Sequence, residues 1–158
     1  KHILSVLVEN KPGVLSRVTG MVSRRGFNID SLSVGPTEDP TMSRITIIVK
    51  ADELAYEQLT KQLNKLVSVF KITDLTDTSA IERELVLFKV NAGLDRRNEI
   101  IEIANVFRAK IVDAPLHLTI EATGDESKLK GMEDLSAHGI KEITRTGKIA
   151  MSRNSKDV

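Results

Sequence analysis

The chain has 158 residues, enough for one ordinary domain or two small ones, with 41% hydrophobic and 28% charged residues as in a soluble globular protein. Its 23 basic and 22 acidic residues leave a formal charge of +1, which gives no electrostatic case for a nucleic-acid or membrane partner. Cysteine is absent, which excludes disulfides, thiolate nucleophiles and cysteine metal sites, and 3% aromatics imply an aliphatic core.

Ile3 to Val8 is an apolar run broken only by Ser5, which predicts a buried central strand. Asn10-Lys11-Pro12-Gly13-Val14-Leu15 follows and leads into an amphipathic segment from Val14 to Arg25. Pro12 suits the first turn of a helix, where a missing N–H costs nothing. Gly13 removes a Cβ beside the next free amides. The N–H groups of Gly13, Val14 and Leu15 are then expected to point out of the helix N-terminus, unpaired and partly positive. Such a terminus suits an anion, including an amino-acid carboxylate. Asn10, at the strand end, carries both a donor and an acceptor. Taken alone, the hexapeptide reads first as a plain strand-to-helix turn, because no G-x-G-x-x-G or P-loop pattern accompanies it.

Val14, Val18 and Val22 form the stripe of the first helix, flanked by Leu15 and Met21; Arg24 and Arg25 complement its dipole and Gly26 ends it. Phe27 to Val34 reads as a strand whose alternation slips phase around Asp30-Ser31. In this topology Asn28, at the strand's start, lies far from Asn10 within one protomer, and its plain role is that of a turn asparagine. Gly35 to Pro40 is a connection. Ile45, Ile47 and Val49 alternate with polar residues in a third strand. Asp52 is a good N-cap for a second helix with Ala55, Leu59, Leu63 and Leu66 inward. Val67, Val69, Phe70 and Ile72 suggest a fourth strand. The order β-α-β-β-α-β is the ferredoxin-like motif, with both helices on one face of an antiparallel sheet.

The stretch after Leu75 is polar and reads as a linker. The pattern then restarts: a strand over Leu85–Val90, a helix over Asp95–Arg108 with Ile100, Ile103, Ala104 and Phe107 inward, and a short strand over Lys110–Asp113. Leu116, Leu118 and Ile120 alternate as a strand, Ser127–Ala137 is a helix weakened by Gly131, and Ile140–Thr144 and Ile149–Met151 are strands. The halves share no obvious residue-level similarity. The expected fold is α+β, with two ferredoxin-like domains: residues 1–76, a linker at 77–84, and residues 85–158.

The three histidines, His2, His117 and His138, share no metal-binding spacing, so no metal site is expected. His117 reads as a solvated or interface residue. Ser5, Ser16 and Ser23 lack a nucleophile context, and no catalytic residue is expected. Glu38 and Asp39 read as solvated loop carboxylates. The doublets Arg24-Arg25 and Arg96-Arg97 do not make an RNA-binding sheet, because no aromatic platform accompanies them. No apolar run approaches the roughly 20 residues of a membrane helix, and no signal peptide is visible. The chain opens on Lys1 rather than Met, so its natural start is left open. A cytoplasmic setting is expected.

The runs Ile3–Asn10 and Pro12–Val18 resemble the start of an ACT domain, and more specifically the small regulatory subunits of acetohydroxyacid (acetolactate) synthase. The resemblance continues through Arg25–Leu32, Asp39–Arg44, Lys61–Leu66, Glu82–Leu85, Phe107–Asp113 and Arg145–Arg153, nearly the whole chain. It implies an ACT domain followed by a second ferredoxin-like domain, no catalysis by this chain, and no cofactor on it. It also implies a large catalytic partner subunit that carries thiamine diphosphate, magnesium and FAD, and feedback inhibition by valine in branched-chain amino-acid biosynthesis. By motif, valine would sit between the ACT domains of a homodimer. Asn10, Lys11, Pro12, Gly13, Val14 and Leu15 would come from one protomer and Asn28 and Ile29 from the other. The chain is shorter than the family pattern at Asp113–Leu116 and at Gly131–His138. Two other readings stay open: a stand-alone amino-acid-binding module, which co-purification of a large subunit would exclude, and a small ferredoxin-like enzyme, which a turnover assay would reveal.

Overall fold

A computed structural model describes residues 1–77, 79–91, 93–114, 117–136 and 139–154. Leu116, expected in a strand, Ala137, expected at the end of a helix, and His138 lie outside the described residues. The fold is α+β and falls into two compact units, residues 1–81 with the chain from 148 onward, and residues 82–147.

The first unit runs β1 (His2–Glu9), α1 (Val14–Arg24), β2 (Asn28–Pro36), β3 (Met42–Lys50), α2 (Glu53–Asn64) and β4 (Val69–Asp74). Its sheet has the order β2-β3-β1-β4, with every neighbour antiparallel. Alternation sorts the strands by face. Leu4, Val6, Val8, Ile45, Ile47 and Val49 pack with Val14, Val18 and Val22 of α1 and Leu59 and Leu63 of α2. The phase slip at Asp30-Ser31 is a β-bulge: Ile29 pairs with Val49, but Ser31 pairs with Ile48. The bulge turns both Ile29 and Leu32 toward the core.

In α2 the buried position of the first turn is Tyr56 rather than Ala55, because two turns of 3.6 residues read back from Leu63 fall nearest position 56. Tyr56 stacks on buried His2 with ring centroids 3.8 Å apart. The His2 Nε2 donates to the Ala51 carbonyl at 3.1 Å. Asp52 caps α2 as expected, accepting the Ala55 N–H at 2.7 Å. Asp52→Ala should lower the unfolding free energy by about 1 kcal/mol, read as a lower urea midpoint at unchanged slope.

The second unit repeats the order: β5 (Ala80–Val90), α3 (Arg97–Val106), β6 (Lys110–Asp113), β7 (Leu118–Gly124), α4 (Glu126–Ser136) and β8 (Ile140–Arg145). Its strand order, β6-β7-β5-β8, matches that of the first unit. Val86, Phe88, Val90, Leu118, Ile120 and Ala122 meet Ile100 and Ala104 of α3 and Leu129 and Met132 of α4. Ile101 joins this core in place of Ile103. Gly131 is small for a reason: a Cβ there would lie 3.3 Å from the Phe107 ring.

Two boundaries differ from the sequence reading. β5 starts at Ala80, inside the stretch read as a linker. Its polar run hides a buried Glu84, whose carboxylate accepts from Arg145 at 3.5 Å. The last strand, β9 (Ile149–Ser152), which the sequence places in the second domain, is counted with the first unit. No helix among the described residues is long and apolar enough to cross a membrane.

Candidate functional site

Three pieces of the first unit meet where β1 ends and α1 begins. Backbone bonds fix them: Glu9 N–H to Ser68 O at 2.9 Å, and Asn10 N–H to Thr41 O at 2.8 Å. The loop then turns over Lys11-Pro12-Gly13-Val14. Gly13 has φ 84° and ψ −10°, and Val14 N–H reaches back to Lys11 O at 3.4 Å. Proline followed by a left-handed glycine makes this a type II turn. Pro12 therefore precedes the helix instead of sitting in its first turn, because a glycine at positive φ cannot continue a right-handed helix.

The turn changes which amides are free. Val14 N–H is engaged, weakly, by the turn. Among the described residues the N–H groups of Gly13, Leu15 and Ser16 have no acceptor; the first helical bond is Arg17 N–H to Gly13 O at 3.1 Å. Ser16 is the addition, found only by counting from the true helix start. Helix α1 has no side-chain cap and no acidic residue in its first turn. Its positive end is thus uncompensated and exposed, the condition for holding an anion.

Asn10 stands beside this terminus. Its Nδ2 donates to Pro40 O at 3.1 Å, which orients the amide and leaves Oδ1 as a free acceptor. Lys11 points to solvent in an ion pair with Glu9 at 3.4 Å. Leu15 is 41% exposed, an unusual cost for a leucine in the first turn. Arg17 donates to Ser68 Oγ at 3.5 Å on the next turn.

The loop behind Asn10 is held by Asp39. Its Oδ1 accepts from Thr41 Oγ1 at 2.7 Å and Thr41 N–H at 2.9 Å, and these two bonds, the hydroxyl first, hold its pKa below the usual carboxylate value. A carboxylate with a lowered folded-state pKa contributes order that is complete above its unfolded value of 3.8 and is lost as pH falls through the lowered one. Amide chemical shifts of Asn10 and Thr41 should therefore be flat from neutral pH down to that range and move together below it. Asp39→Asn should move them at neutral pH.

Asn28 and Ile29 are elsewhere. Asn28 pairs with Lys50 and Glu9 with Met42, so the length of β3 separates them, roughly 26 Å at 3.3 Å per residue. One chain brings Asn10 to Leu15 together and holds Asn28 and Ile29 at the opposite end of the sheet. Strand β2, which carries Asn28 and Ile29, is an edge strand with one side unpaired. Among the described residues no group of three or more His, Asp and Glu side chains is arranged to hold a metal ion.

Comparison with known proteins agrees with this architecture unit by unit. Residues 4–71 match the family described as the AHAS small subunit-like ACT domain. Residues 83–154 match the family described as the small subunit of acetolactate synthase. The chain is 52% identical to the probable acetolactate synthase small subunit of Archaeoglobus fulgidus, over 99% of each chain. It is 50% identical to the acetolactate synthase small subunit of Mycolicibacterium smegmatis, over 99% of this chain and 94% of that one. The crystal structure of the acetolactate synthase small subunit from Thermotoga maritima superposes with a TM-score of 0.89 at 41% identity, covering 98% of both chains. With both halves matched and full-length relatives at about half identity, the chain belongs to the acetolactate synthase small-subunit family.

Proposed function

We propose that this chain is a non-catalytic regulatory subunit that activates a large acetolactate-forming subunit and makes it sensitive to valine. The observation that carries the reading is the bare N-terminus of α1 beside the Asn10 amide. The free amides of Gly13, Leu15 and Ser16 suit an α-carboxylate, and Asn10 Oδ1 suits an ammonium group. The exposed Leu15 side chain offers apolar contact to a branched side chain.

The site is completed by a second copy. Strand β2 is a nine-residue edge strand with one side unpaired, and its Val34 is 45% exposed. Such an edge is normally covered. Antiparallel pairing of two β2 strands about a twofold axis places the Asn28 end of one beside the Pro36 end of the other. Pro36 leads into the loop that holds Asn10. Asn28 and Ile29 of one protomer thus face Asn10 and Gly13 of its partner, which resolves their separation within a single chain.

The mechanism is linkage. Valine bound across the dimer stabilises one arrangement of the two ACT domains, and the catalytic subunit, holding the thiamine diphosphate, magnesium and FAD, responds to that arrangement. The test is reconstitution with the large subunit. Addition of this chain should raise acetolactate formation, and valine should suppress the gain. The purified chain alone should form none; pyruvate condensation by it would overturn the regulatory reading. Failure to co-purify with a large subunit would favour a stand-alone amino-acid-binding module.

A further inference from the structure

The helix-free face of the first sheet carries a row of hydroxyls across all four strands. Ser33 is opposite Thr46, Thr46 opposite Ser5, and Ser5 opposite Thr73. Ser5 and Thr46 are each only 3% exposed. Beside the row, Arg44 Nη1 donates to Ser5 Oγ at 3.1 Å, a diagonal cross-strand contact. The chain from Lys148 lies against this face, with Lys148 N–H donating to Ser31 Oγ at 2.8 Å. Between sheet and chain is a cavity of ≈ 320 Å³ lined by Ser5, Arg44, Thr73, Glu38, Arg153 and Asn154 among others.

This cavity lies within the first unit and shares no lining residue with the β1–α1 loop. Its volume falls at the lower end of small-molecule sites. Among the described residues, none of its three charged groups, Arg44, Arg153 and Glu38, forms an ion pair. Arg44 commits one of its five N–H donors to Ser5, which fixes the guanidinium while leaving donors for a planar oxyanion. The charges, two positive and one negative, are the complement of a molecule with two carboxylates and one ammonium.

We propose that this cavity binds a small dicarboxylate of the acidic amino-acid class. Arg44 and Arg153 receive the carboxylates, Ser5 and Thr73 add hydroxyl bonds, and Glu38 receives the ammonium. A ligand there joins the sheet to the chain at Ala150–Asn154, so its binding is read as slowed hydrogen exchange in that segment as well as by heat. The inference does not rest on the valine reading.

The test titrates the full-length chain with L-glutamate, and with glutarate as the same dicarboxylate without the amine. Saturable binding of both is expected, with L-glutamate tighter. Arg153→Ala, an exposed position that leaves the fold intact, should weaken both at least tenfold. Glu38→Gln should remove the preference for L-glutamate and leave glutarate unchanged. Gly13→Asp should leave both affinities as they are. Absence of saturable binding, equal affinity in Arg153→Ala, or loss of binding in Gly13→Asp would each overturn the proposal.

Discussion

Gly13→Asp should bind valine ten to a thousand times more weakly than the parent chain, measured by calorimetry, while still activating the catalytic subunit. The carboxylate introduced at Gly13 lies where the proposed site puts the ligand carboxylate. Two like charges about 4 Å apart repel by roughly 1 kcal/mol in water and roughly 4 kcal/mol at an effective dielectric of 20. That range corresponds to about one to three decades in affinity. The fold should survive. A Cβ at Gly13 meets nothing within 4 Å, so the substitution adds no clash inside the chain. Its cost is conformational: φ 84° is the left-handed region, which a residue with a side chain enters at about 1–2 kcal/mol, with aspartate among the most tolerant. An acid at the positive end of α1 offsets part of that. Gly13→Ala separates the two effects. It carries at least as much backbone strain without the charge, so it should lose at least as much stability yet spare most of the valine affinity. An aspartate variant no weaker than the alanine variant would show that no anion sits against this turn.

The parts of the molecule legible in the sequence were those with a local physical signature. The Val14, Val18 and Val22 stripe could only be the buried side of a helix, and all three are buried. The slip at Asp30-Ser31 was visible as a break in alternation and is a bulge in the strand. Asp52 announced its cap through side-chain chemistry alone. The misplacements came where two local signals compete. Pro12 is favoured both at the first position of a helix and at the second position of a turn, and only the positive φ of Gly13 decides between them. Glu82-Arg83-Glu84 reads as linker by polarity, yet it is strand, because Arg145 neutralises the buried Glu84 from a position far along the chain. The hydroxyl row Ser33-Thr46-Ser5-Thr73 has no signature in any one segment. It appears only when the register of four strands is known, and so does the cavity beneath the chain at Ala150–Asn154.

The proposed valine site is hardest to read for a related reason: its two halves are never close in one chain. That separation makes a strict test possible. Asn28→Ala removes the donor and acceptor that the partner's β2 strand would bring, and by itself should weaken valine binding at both sites of a homodimer. In a heterodimer of one Gly13→Asp chain with one Asn28→Ala chain, the outcome depends on how residues are shared. If each site draws Asn10 and Gly13 from one chain and Asn28 from the other, both lesions fall in the same site. The second site then combines an intact Gly13 with an intact Asn28. Calorimetry on the isolated mixed dimer should find about half the parental number of sites at near-parental affinity, the remainder being too weak to detect. If both residues of a site came from the same chain, each site would carry one lesion, and no site of parental affinity would remain. The two outcomes differ by the presence or absence of a whole binding step, larger than any change in affinity either single variant produces. Recovery of no near-normal site would refute pairing through β2, whatever the affinity of the homodimers.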